Sequence, residues 1–315
     1  MIFWKGVSAL DWQITSADNG KMLRDWIRDN IRLSGKMLKY LKYQNDGILV
    51  NGQRCTVRRV LQTGDTVTLA LLDNDSSSEL LPVDIPLHIL YEDSELVVPS
   101  KPPQMPTHPS HNHHDDTLAN ALAYRYQQMG VPFVFRPINR LDRDTSGAVL
   151  VARNKFSAGL LSRSMQRGEI RKAYLAVLEG CLTQDEGIIE HPLHRTAESI
   201  IVREICSPDT PDAEAARTEF RVLARSGECT LVEAKPITGR THQLRVHFAS
   251  LGHPICGDAL YGIQNRRIAR QALHARYLSF PHPVTGDMLS LTAPIPDDLQ
   301  KLIAEQFPDY FIERS

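Results

Sequence analysis

The densest group of reactive side chains in the sequence lies between Arg140 and Gly147. It contains two carboxylates, two guanidinium groups and two hydroxyls, in the order Arg-Leu-Asp-Arg-Asp-Thr-Ser-Gly. The apolar run 148–152 follows directly and predicts a buried strand. A polar cluster at the mouth of a buried strand is a common position for a catalytic or binding site. On composition alone, a charged loop whose ions pair with one another is an equally good interpretation.

A second polar stretch, residues 235–247, contains the run Gly-Arg-Thr-His-Gln-Leu-Arg. Its pattern predicts a helix over 241–251, with Thr238 or Thr241 as the N-cap. Arg245 follows Thr241 by four residues, which places both side chains on one face of that helix. A cationic face beside a helix start suits a phosphate or a carboxylate. The alternative is an amphipathic helix with a solvated basic edge.

The elements that must position these residues are mostly strands. Strand patterns fall at 87–91, 95–99, 147–152, 173–178, 200–204, 217–223 and 229–234, and helical patterns at 116–129, 155–165, 241–251 and 295–306. Strands outnumber helices and do not alternate with them regularly. This predicts an α+β domain with a large mixed or antiparallel sheet over residues 85–310. The polar, serine-rich segment 73–84 predicts a linker in front of it.

Residues 15–72 predict a small basic α/β module ahead of the linker. One helical face carries apolar side chains only: Leu23, Trp26, Ile27 and Ile31. A second short helix spans 36–43, and the Asn-Gly pair at 51–52 predicts a hairpin turn. Residues 21–59 hold ten basic and three acidic side chains, a local charge of +7 in a chain of net charge −1. A face with this charge suits a nucleic acid better than the average charge suggests.

Length and composition indicate a soluble cytoplasmic protein. The chain has 315 residues, of which 42% are hydrophobic and 23% charged, as is ordinary for globular domains. No apolar run reaches the length of a membrane span, and residues 1–10 lack the order of a signal peptide. The five cysteines are scattered without a Cys-x-x-Cys pair, which argues against a disulfide framework or a zinc site.

Taken together, the motifs resemble those of the RluA-type family of pseudouridine synthases. Residues 139–147 match the family form His-Arg-Leu-Asp-x-x-Thr-Ser-Gly except at the first position, which is Asn139. Further similar stretches are the Lys-x-Tyr strand at 171–180, the run 239–258, and Leu-His-Ala at 273–275 followed by 282–286. The resemblance covers about residues 87–300. Residues 15–72 resemble the S4 RNA-binding module.

The resemblance implies an enzyme that isomerises chosen uridines of a structured RNA, ribosomal or transfer RNA, to pseudouridine. The reaction breaks the C1′–N1 bond, turns the uracil and forms a C1′–C5 bond, so it requires no cofactor and no metal. The target base must leave its helix or loop to reach the site. We therefore expect RNA as the partner, a monomeric protein and no association with membranes.

The resemblance also assigns roles to residues. Asp142 matches the catalytic aspartate, a carboxylate that can act as nucleophile or base. Arg245 matches the arginine that pairs with it, and Tyr174 matches the tyrosine that stacks on the uracil and assists removal of the C5 proton. The remaining candidates bind substrate: Leu273 lines the pocket, Arg140 fills the gap left by the base or holds a phosphate, and Arg240 and His242 contact the RNA.

Asn139 departs from the family pattern. Asparagine keeps the hydrogen-bonding capacity of the family histidine but loses its titrating ring. We expect the chemistry to survive this change, with an effect on target choice or loop order.

Four histidines close together suggest a metal site at first sight: His108, His111, His113 and His114. They form no His-x-x-x-His pair, and adjacent histidines rarely bind one zinc ion. The segment follows a Lys-Pro-Pro run that resembles a loop of the family, so an exposed or RNA-facing loop is the better interpretation.

Two other functions fit parts of the sequence. The run Asp-Thr-Ser-Gly at 144–147 matches the signature of aspartic proteases, whose chemistry needs two such aspartates, but the chain holds no second copy. A non-catalytic RNA-binding protein could rest on the S4-like module alone. The joint presence of Asp142, Tyr174 and Arg245 favours the enzyme.

Overall fold

The computed structural model of the chain describes residues 9–31, 33, 35–71, 80–199, 201–263 and 267–310. Their strands are β1 (Leu10–Gln13), β2 (Ile48–Val50), β3 (Gln53–Arg54), β4 (Thr66–Leu69), β5 (His88–Glu92), β6 (Leu96–Lys101), β7 (Arg136–Pro137), β8 (Ser146–Ala148), β9 (Val151–Ala152), β10 (Arg171–Glu179), β11 (Glu186–Ile189), β12 (Leu193–Arg195), β13 (Arg203–Ile205), β14 (Thr218–Arg225), β15 (Cys229–Pro236), β16 (Leu273–Pro281) and β17 (Met288–Thr292). Their helices are α1 (Leu23–Trp26), α2 (Gly35–Tyr43), α3 (Leu118–Gln128), α4 (Lys155–Gln166), α5 (Gln243–Ser250) and α6 (Asp297–Gln306). None of these helices combines the length and apolar character needed to cross a membrane.

One large mixed sheet contains most of the strands after residue 87. Its order is β11-β14-β15-β10-β16-β8-β6-β9-β7, with β17 paired to β16 and β5 paired to β6. Neighbouring strands run antiparallel except β8 and β16, which are parallel. The predicted α+β class with a large mixed sheet is confirmed.

The sheet is covered on both faces. Along β6, Val97 belongs to the core shared with α3, α5 and α6, whereas Leu96 and Val98 belong to the core shared with α4. This is the alternation expected of a strand between two apolar layers. The central strand β10 is likewise buried without interruption from Ala173 to Leu178, which explains its unbroken apolar sequence.

The strand predicted over 147–152 is interrupted. Its residues form β8 and β9, and the backbone of Gly147 has a φ of +119°. A Cβ added at Gly147 would lie 2.2 Å from the carbonyl oxygen of Ala275, so only glycine fits where β8 meets β16. This close approach brings residues 140–146 beside the beginning of β16.

A second, four-stranded sheet of order β1-β4-β2-β3 forms near the N-terminus. The predicted apolar helical face is buried, but the helix changes after Trp26 into one π-turn, Ile27–Ile31. The Asn-Gly turn forms as expected, with positive φ at both residues and Val50 paired with Gln53. Strand β1 lies before the predicted beginning of the module at residue 15.

The N-terminal sheet and the main sheet share apolar contacts through α4. Phe156 is buried in the N-terminal core, and Leu160 packs against it. The proposed linker 73–84 falls largely outside the described residues, which resume at residue 80. An RNA-binding role for the N-terminal module stays a prediction.

Candidate active site

Asp142 lies in the loop that enters β8 and is partly exposed to solvent. The backbone carbonyl of Asp142 accepts the N–H of Thr145 at 3.1 Å, which closes a tight turn. Its side chain is 28% exposed, and Oδ2 lies 3.2 Å from Nη1 of Arg245. The carboxylate is therefore paired with one guanidinium N–H group and still open to a ligand.

Arg245 is held mainly by a different carboxylate. Its Nε and Nη2 donate to the two oxygens of Asp258 at 2.6 and 2.8 Å, and both side chains are buried. Burial alone raises the pKa of Asp258, but the hydrogen bonds and charge of Arg245 outweigh it and hold that pKa below its usual range. The two-pronged contact fixes the guanidinium plane, so that Nη1 is aimed at Asp142.

Asp258 was not assigned a role from the sequence. It also accepts the backbone N–H groups of Leu260 and Tyr261, at 2.9 and 3.2 Å. Its only sequence signal was its place at the end of the family-like run 239–258. Composition and spacing could not show that it meets Arg245 across a turn.

The turn before α5 is built differently from the prediction. Neither Thr238 nor Thr241 caps the helix: the N-cap is His242, whose φ is +59° and whose side chain makes no capping bond. Thr238 instead donates to Oε1 of Gln243 at 2.7 Å, and the N–H of Arg240 donates to the same oxygen at 3.0 Å. The buried amide of Gln243 thus organises the turn.

His242 occupies a left-handed backbone conformation that is uncommon for residues other than glycine. Its Nδ1 lies 2.8 Å from the hydroxyl of Tyr261, which accepts the N–H of Arg203 at 2.8 Å. The Tyr261 hydroxyl then donates a hydrogen bond to Nδ1, so that the ring proton of His242 is on Nε2. Burial lowers the pKa of His242, which favours the neutral ring.

Nε2 of His242 lies 3.8 Å from Oδ2 of Asp142, too far for a hydrogen bond. A neutral N–H donor therefore faces the space beside the carboxylate. The ring of Tyr261 lies under Arg245, with the guanidinium carbon 5.1 Å from the ring centre. Tyr261 is a second supporting residue that the sequence did not single out.

Tyr174 and Leu273 provide an apolar wall. Ala176, two residues after Tyr174 on β10, pairs with Leu273 on β16, so the side chains of Tyr174 and Leu273 share one face of the sheet. Both are buried. Burial, with a smaller contribution from Asp142, raises the pKa of Tyr174 far above its usual value. The phenol of Tyr174 is therefore neutral. It can accept a proton only if it gives up its hydroxyl proton to another group.

Lys101 stabilises the loop that carries Asp142. The side chain is fully buried, and Nζ donates to the carbonyls of Pro102, Met105 and Arg143 at 2.9, 2.7 and 2.9 Å. Burial lowers the pKa of Lys101 to about 7, although the nearby carboxylates oppose this shift. Three carbonyl acceptors match the three N–H groups of an ammonium. Its signal in the sequence was the Lys-Pro-Pro run, to which no role had been given.

Asn139 also serves the loop. Its buried amide accepts the N–H of Leu150 at 2.8 Å and donates to the carbonyl of Ala148 at 3.3 Å. Both contacts join the loop to the strand region behind it, and they need a donor and an acceptor in one side chain. The hydrogen-bonding capacity expected of asparagine is used in this way.

The hydroxyls of the protease-like run are engaged in the interior. Thr145 and Ser146 are buried and contact Gln271 at 3.2 Å and His274 at 2.9 Å. Asp144 accepts a bond from its neighbour Arg143 at 3.1 Å. This loop therefore leaves Asp142 partly exposed, whereas the side chains of Thr145 and Ser146 make structural contacts in the interior.

Two arginines expected to bind substrate take different positions. Arg140 is exposed at the entrance to the loop. Arg240 donates to Glu214 and to the carbonyl of Ala215, both at 3.0 Å, so it is engaged on the surface. The structure thus brings together Asp142, His242 and Arg245, and it ties Arg240 to other partners. Substrate binding by Arg140 and Arg240 stays a prediction.

Among the described residues, one group has the geometry to hold a metal ion: Glu179, Cys229 and Cys256, with ligand atoms within 4.8 Å of one another. Arg267 donates to Glu179 at 2.9 Å and lies 3.7 Å from the sulfur of Cys229, so a cationic side chain already occupies that position. The clustered histidines behave otherwise: His113 pairs with Asp116 at 2.6 Å.

The chain is similar to several known proteins. The model of a family described as RNA pseudouridylate synthase matches residues 95–250. A Bacillus subtilis (strain 168) protein named "Uncharacterized RNA pseudouridine synthase YjbO" is 40% identical over 86% of this chain and 94% of its own length. The "Ribosomal large subunit pseudouridine synthase D" of Xanthomonas campestris pv. campestris is 36% identical over 81% of this chain and 80% of its own. The solved structure "Human RNA Pseudouridylate Synthase Domain Containing 1" is 29% identical with a TM-score of 0.56, covering 70% of this chain and 94% of its own.

Proposed function

Because the chain belongs to the RNA pseudouridine synthase family, and so is an isomerase that converts uridine in RNA to pseudouridine, we propose that Asp142, Arg245 and Tyr174 are its catalytic residues. The observation that carries this proposal is the 3.2 Å contact between Nη1 of Arg245 and Oδ2 of Asp142. This contact orients the Asp142 carboxylate and leaves it partly exposed, so that a nucleotide can reach it.

In this proposal Asp142 acts on the ribose of a uridine that has left its stack. The carboxylate attacks the sugar or removes a proton from it, and either path breaks the C1′–N1 bond. The freed uracil turns between Tyr174 and Leu273, whose apolar surfaces let it rotate without a strong hydrogen bond to the wall. C5 then bonds to C1′; on the first path the bond between the carboxylate and C1′ breaks, and on the second the proton returns to the sugar. The C5 proton leaves and N1 takes up a proton, so that no atom is gained or lost.

Arg245 has two tasks here. It offsets the cost of removing the Asp142 carboxylate from water when the nucleotide covers it. It also fixes the direction of that carboxylate, because Asp258 prevents the guanidinium from turning. His242 presents an N–H donor to the same space, where a ribose hydroxyl or a uracil carbonyl can accept it.

We further propose that the target lies in the RNA of the large ribosomal subunit. Relatives from Xanthomonas campestris pv. campestris and Haemophilus ducreyi are named ribosomal large subunit pseudouridine synthase D and are 36% and 32% identical to this chain. Residues 15–72 supply affinity for that RNA through their basic surface. Transfer RNA is the other candidate substrate.

Tritium release tests the function and the target together. Uridine labelled with tritium at C5 loses the label when pseudouridine forms, so the purified chain should release tritium from a large-subunit ribosomal RNA transcript. Sequencing should then place the pseudouridine at one or a few sites. Release from transfer RNA alone would overturn the ribosomal target, and release from neither RNA would contradict the proposed activity.

A further inference from the structure

Lys172 lies on β10, two residues before Tyr174. Because alternate residues of a strand point to the same face, its side chain shares the face of the tyrosine. Its Nζ comes within 3.8 Å of the position that a Cβ on Gly239 would occupy. Gly239 begins the Gly-Arg-Thr-His run that leads to His242 and Arg245. The ammonium therefore lies beside the loop that leads to His242.

The ammonium of Lys172 has no hydrogen-bond or ion-pair partner among the residues that the structure describes. The side chain is nevertheless partly buried, and this burial lowers its pKa. Other cations around the site differ, since Arg245 has Asp258, Lys101 has three carbonyls and Arg240 has Glu214. A partly desolvated cation without a counter-ion costs stability. A ligand that supplies the missing negative charge would offset this cost.

We propose that Lys172 binds a backbone phosphate of the RNA directly beside the flipped uridine. The proposal rests on the proposed function, which brings a nucleotide to Asp142 and Tyr174. A nucleotide in that position carries a phosphodiester on each side of its ribose. Lysine suits this ligand because it acts as a compact point charge with three donors that can follow the phosphate oxygens.

A phosphate contact at this place serves the reaction as well as affinity. The sugar stays attached to the chain while the uracil is detached and turned. An anchor on the adjoining phosphate therefore holds C1′ in place beside Asp142 during rotation. Lys172 is in this sense a positioning residue for the ribose.

A double-mutant cycle on binding tests the contact. One partner is Lys172, changed to Met, which keeps the length and apolar stem of the side chain and removes its charge. The other is the RNA, in which single methylphosphonates replace in turn the two phosphates flanking the target and two further phosphates on each side. Affinities are measured with the Asp142→Asn protein, so that the RNA is not modified during the titration.

We expect a methylphosphonate at one of the two flanking positions to weaken binding about tenfold or more with Lys172 present, as for other charged hydrogen bonds. With Lys172→Met in place, the same methylphosphonate should cost less than about twofold. Lys172→Arg should keep most of the affinity and most of the penalty. The slope of log affinity against log salt should fall by about one for Lys172→Met.

Lys235→Met is the matched control. Lys235 lies on the neighbouring strand β15 and pairs with Glu233 at 3.0 Å. Its neighbour Ala234 is the strand partner of Tyr174, so Lys235 points to the opposite face of the sheet, and Lys235→Met removes the same charge there. Each methylphosphonate should weaken RNA binding by Lys235→Met as much as it weakens RNA binding by the protein with Lys235 unchanged. Thermal unfolding of each variant verifies that the fold is retained, and Lys172→Gln, which also removes the charge, takes the place of Lys172→Met in the cycle if the latter unfolds.

Additive penalties at both flanking phosphates would overturn the proposal, and so would coupling to a distant phosphate only. Binding of Lys172→Met as tight as that of the unchanged protein would overturn it as well. This readout does not depend on catalysis. A failure of the proposed function would appear as absent tritium release, whatever the cycle shows.

Discussion

Arg245 divides its guanidinium between two carboxylates of unequal burial. Asp258 is fully buried and takes two N–H groups, whereas the partly exposed Asp142 takes one. The three side chains together carry one net negative charge. An arginine that paired with Asp142 alone would neutralise its charge. Because Arg245 is shared with Asp258, the excess negative charge stays at the partly exposed Asp142, where a nucleotide arrives. This arrangement orients the carboxylate of Asp142 and leaves it able to react.

We expect the replacement of Lys101 to destabilise the protein. Lys101→Met leaves three backbone carbonyls without donors beneath the Asp142 loop, those of Pro102, Met105 and Arg143. Each unsatisfied buried group costs about 1–3 kcal/mol, so we expect a loss of about 3 kcal/mol or more in the free energy of unfolding. Turnover should fall with it, because the loop loses its support. Urea unfolding and tritium release measure the two effects.

The same residue makes stability depend on pH in a defined direction. Its pKa is about 7 in the folded chain against 10.5 for a free lysine. Between these values the unfolded chain holds a proton that the folded chain releases, so raising the pH favours folding. The stability of the wild type relative to Lys101→Met should therefore rise from pH 7 to 10.5. Parallel pH curves for the two proteins would contradict this assignment.

At the scale of elements, apolar periodicity was sufficient for most strands and helices. The predicted strands 173–178 and 229–234 correspond to β10 and β15, and the predicted helix 155–165 corresponds to α4. In each case the burial that drives the pattern is local to the element. Residue 200 of the strand predicted at 200–204 lies outside the described residues, and β13 begins at Arg203.

Elements shaped by distant contacts could not be predicted. The division of 147–152 into two strands depends on the carbonyl of Ala275, which meets Gly147 from far along the chain. The cap of α5 was wrong for a similar reason, because Thr238 is engaged by Gln243 and by the backbone of Arg217. These positions are where the tertiary structure, and the site with it, overrides local preference.

The candidate site, too, could be predicted only in part from the sequence. The sequence indicated Asp142, Tyr174 and Arg245 through their motifs, and the structure brings Asp142 and Arg245 into contact. The sequence did not indicate that Asp258, Tyr261 and Lys101 stabilise these residues, because no periodicity marks a residue that holds another side chain in place.

At the scale of the whole molecule, the basic N-terminal part packs on the catalytic part. Phe156 of α4 is buried in the N-terminal core, and Nζ of Lys155 lies 5.3 Å from the ring centre of Tyr40. An RNA bound to one part is therefore placed relative to the other. Removing the N-terminal part would expose Phe156, so substitutions of surface charges are the better test of its role.

We expect the triple change Lys39→Gln, Lys42→Gln and Arg54→Gln to weaken RNA binding without slowing the reaction at saturating RNA. Lys39 and Lys42 are exposed on α2, and Arg54 donates to the carbonyl of Lys42 at 3.4 Å, so the three charges are neighbours. Each phosphate that is no longer neutralised by a cationic side chain lowers the salt dependence of log affinity by about one.

Arg28→Gln serves as the control, because Arg28 already pairs with Asp25 and Asp29 at 3.0 and 2.9 Å. Its affinity should change little. Unchanged affinity and salt dependence in the triple variant would show that this face does not bind RNA.

The single-turnover rate of tritium release by Asp142→Asn, at saturating RNA, tests the central claim most directly. Asparagine keeps the size of the side chain and a hydrogen-bond acceptor for Arg245 but removes the carboxylate. We expect the rate to fall at least about a thousandfold, as when other enzymes lose a nucleophile or base, with RNA affinity and folding nearly intact. Asp144→Asn, two residues away on the same loop, should release tritium at close to the wild-type rate. Release by Asp142→Asn at the wild-type rate would contradict the assignment of Asp142 as the catalytic carboxylate.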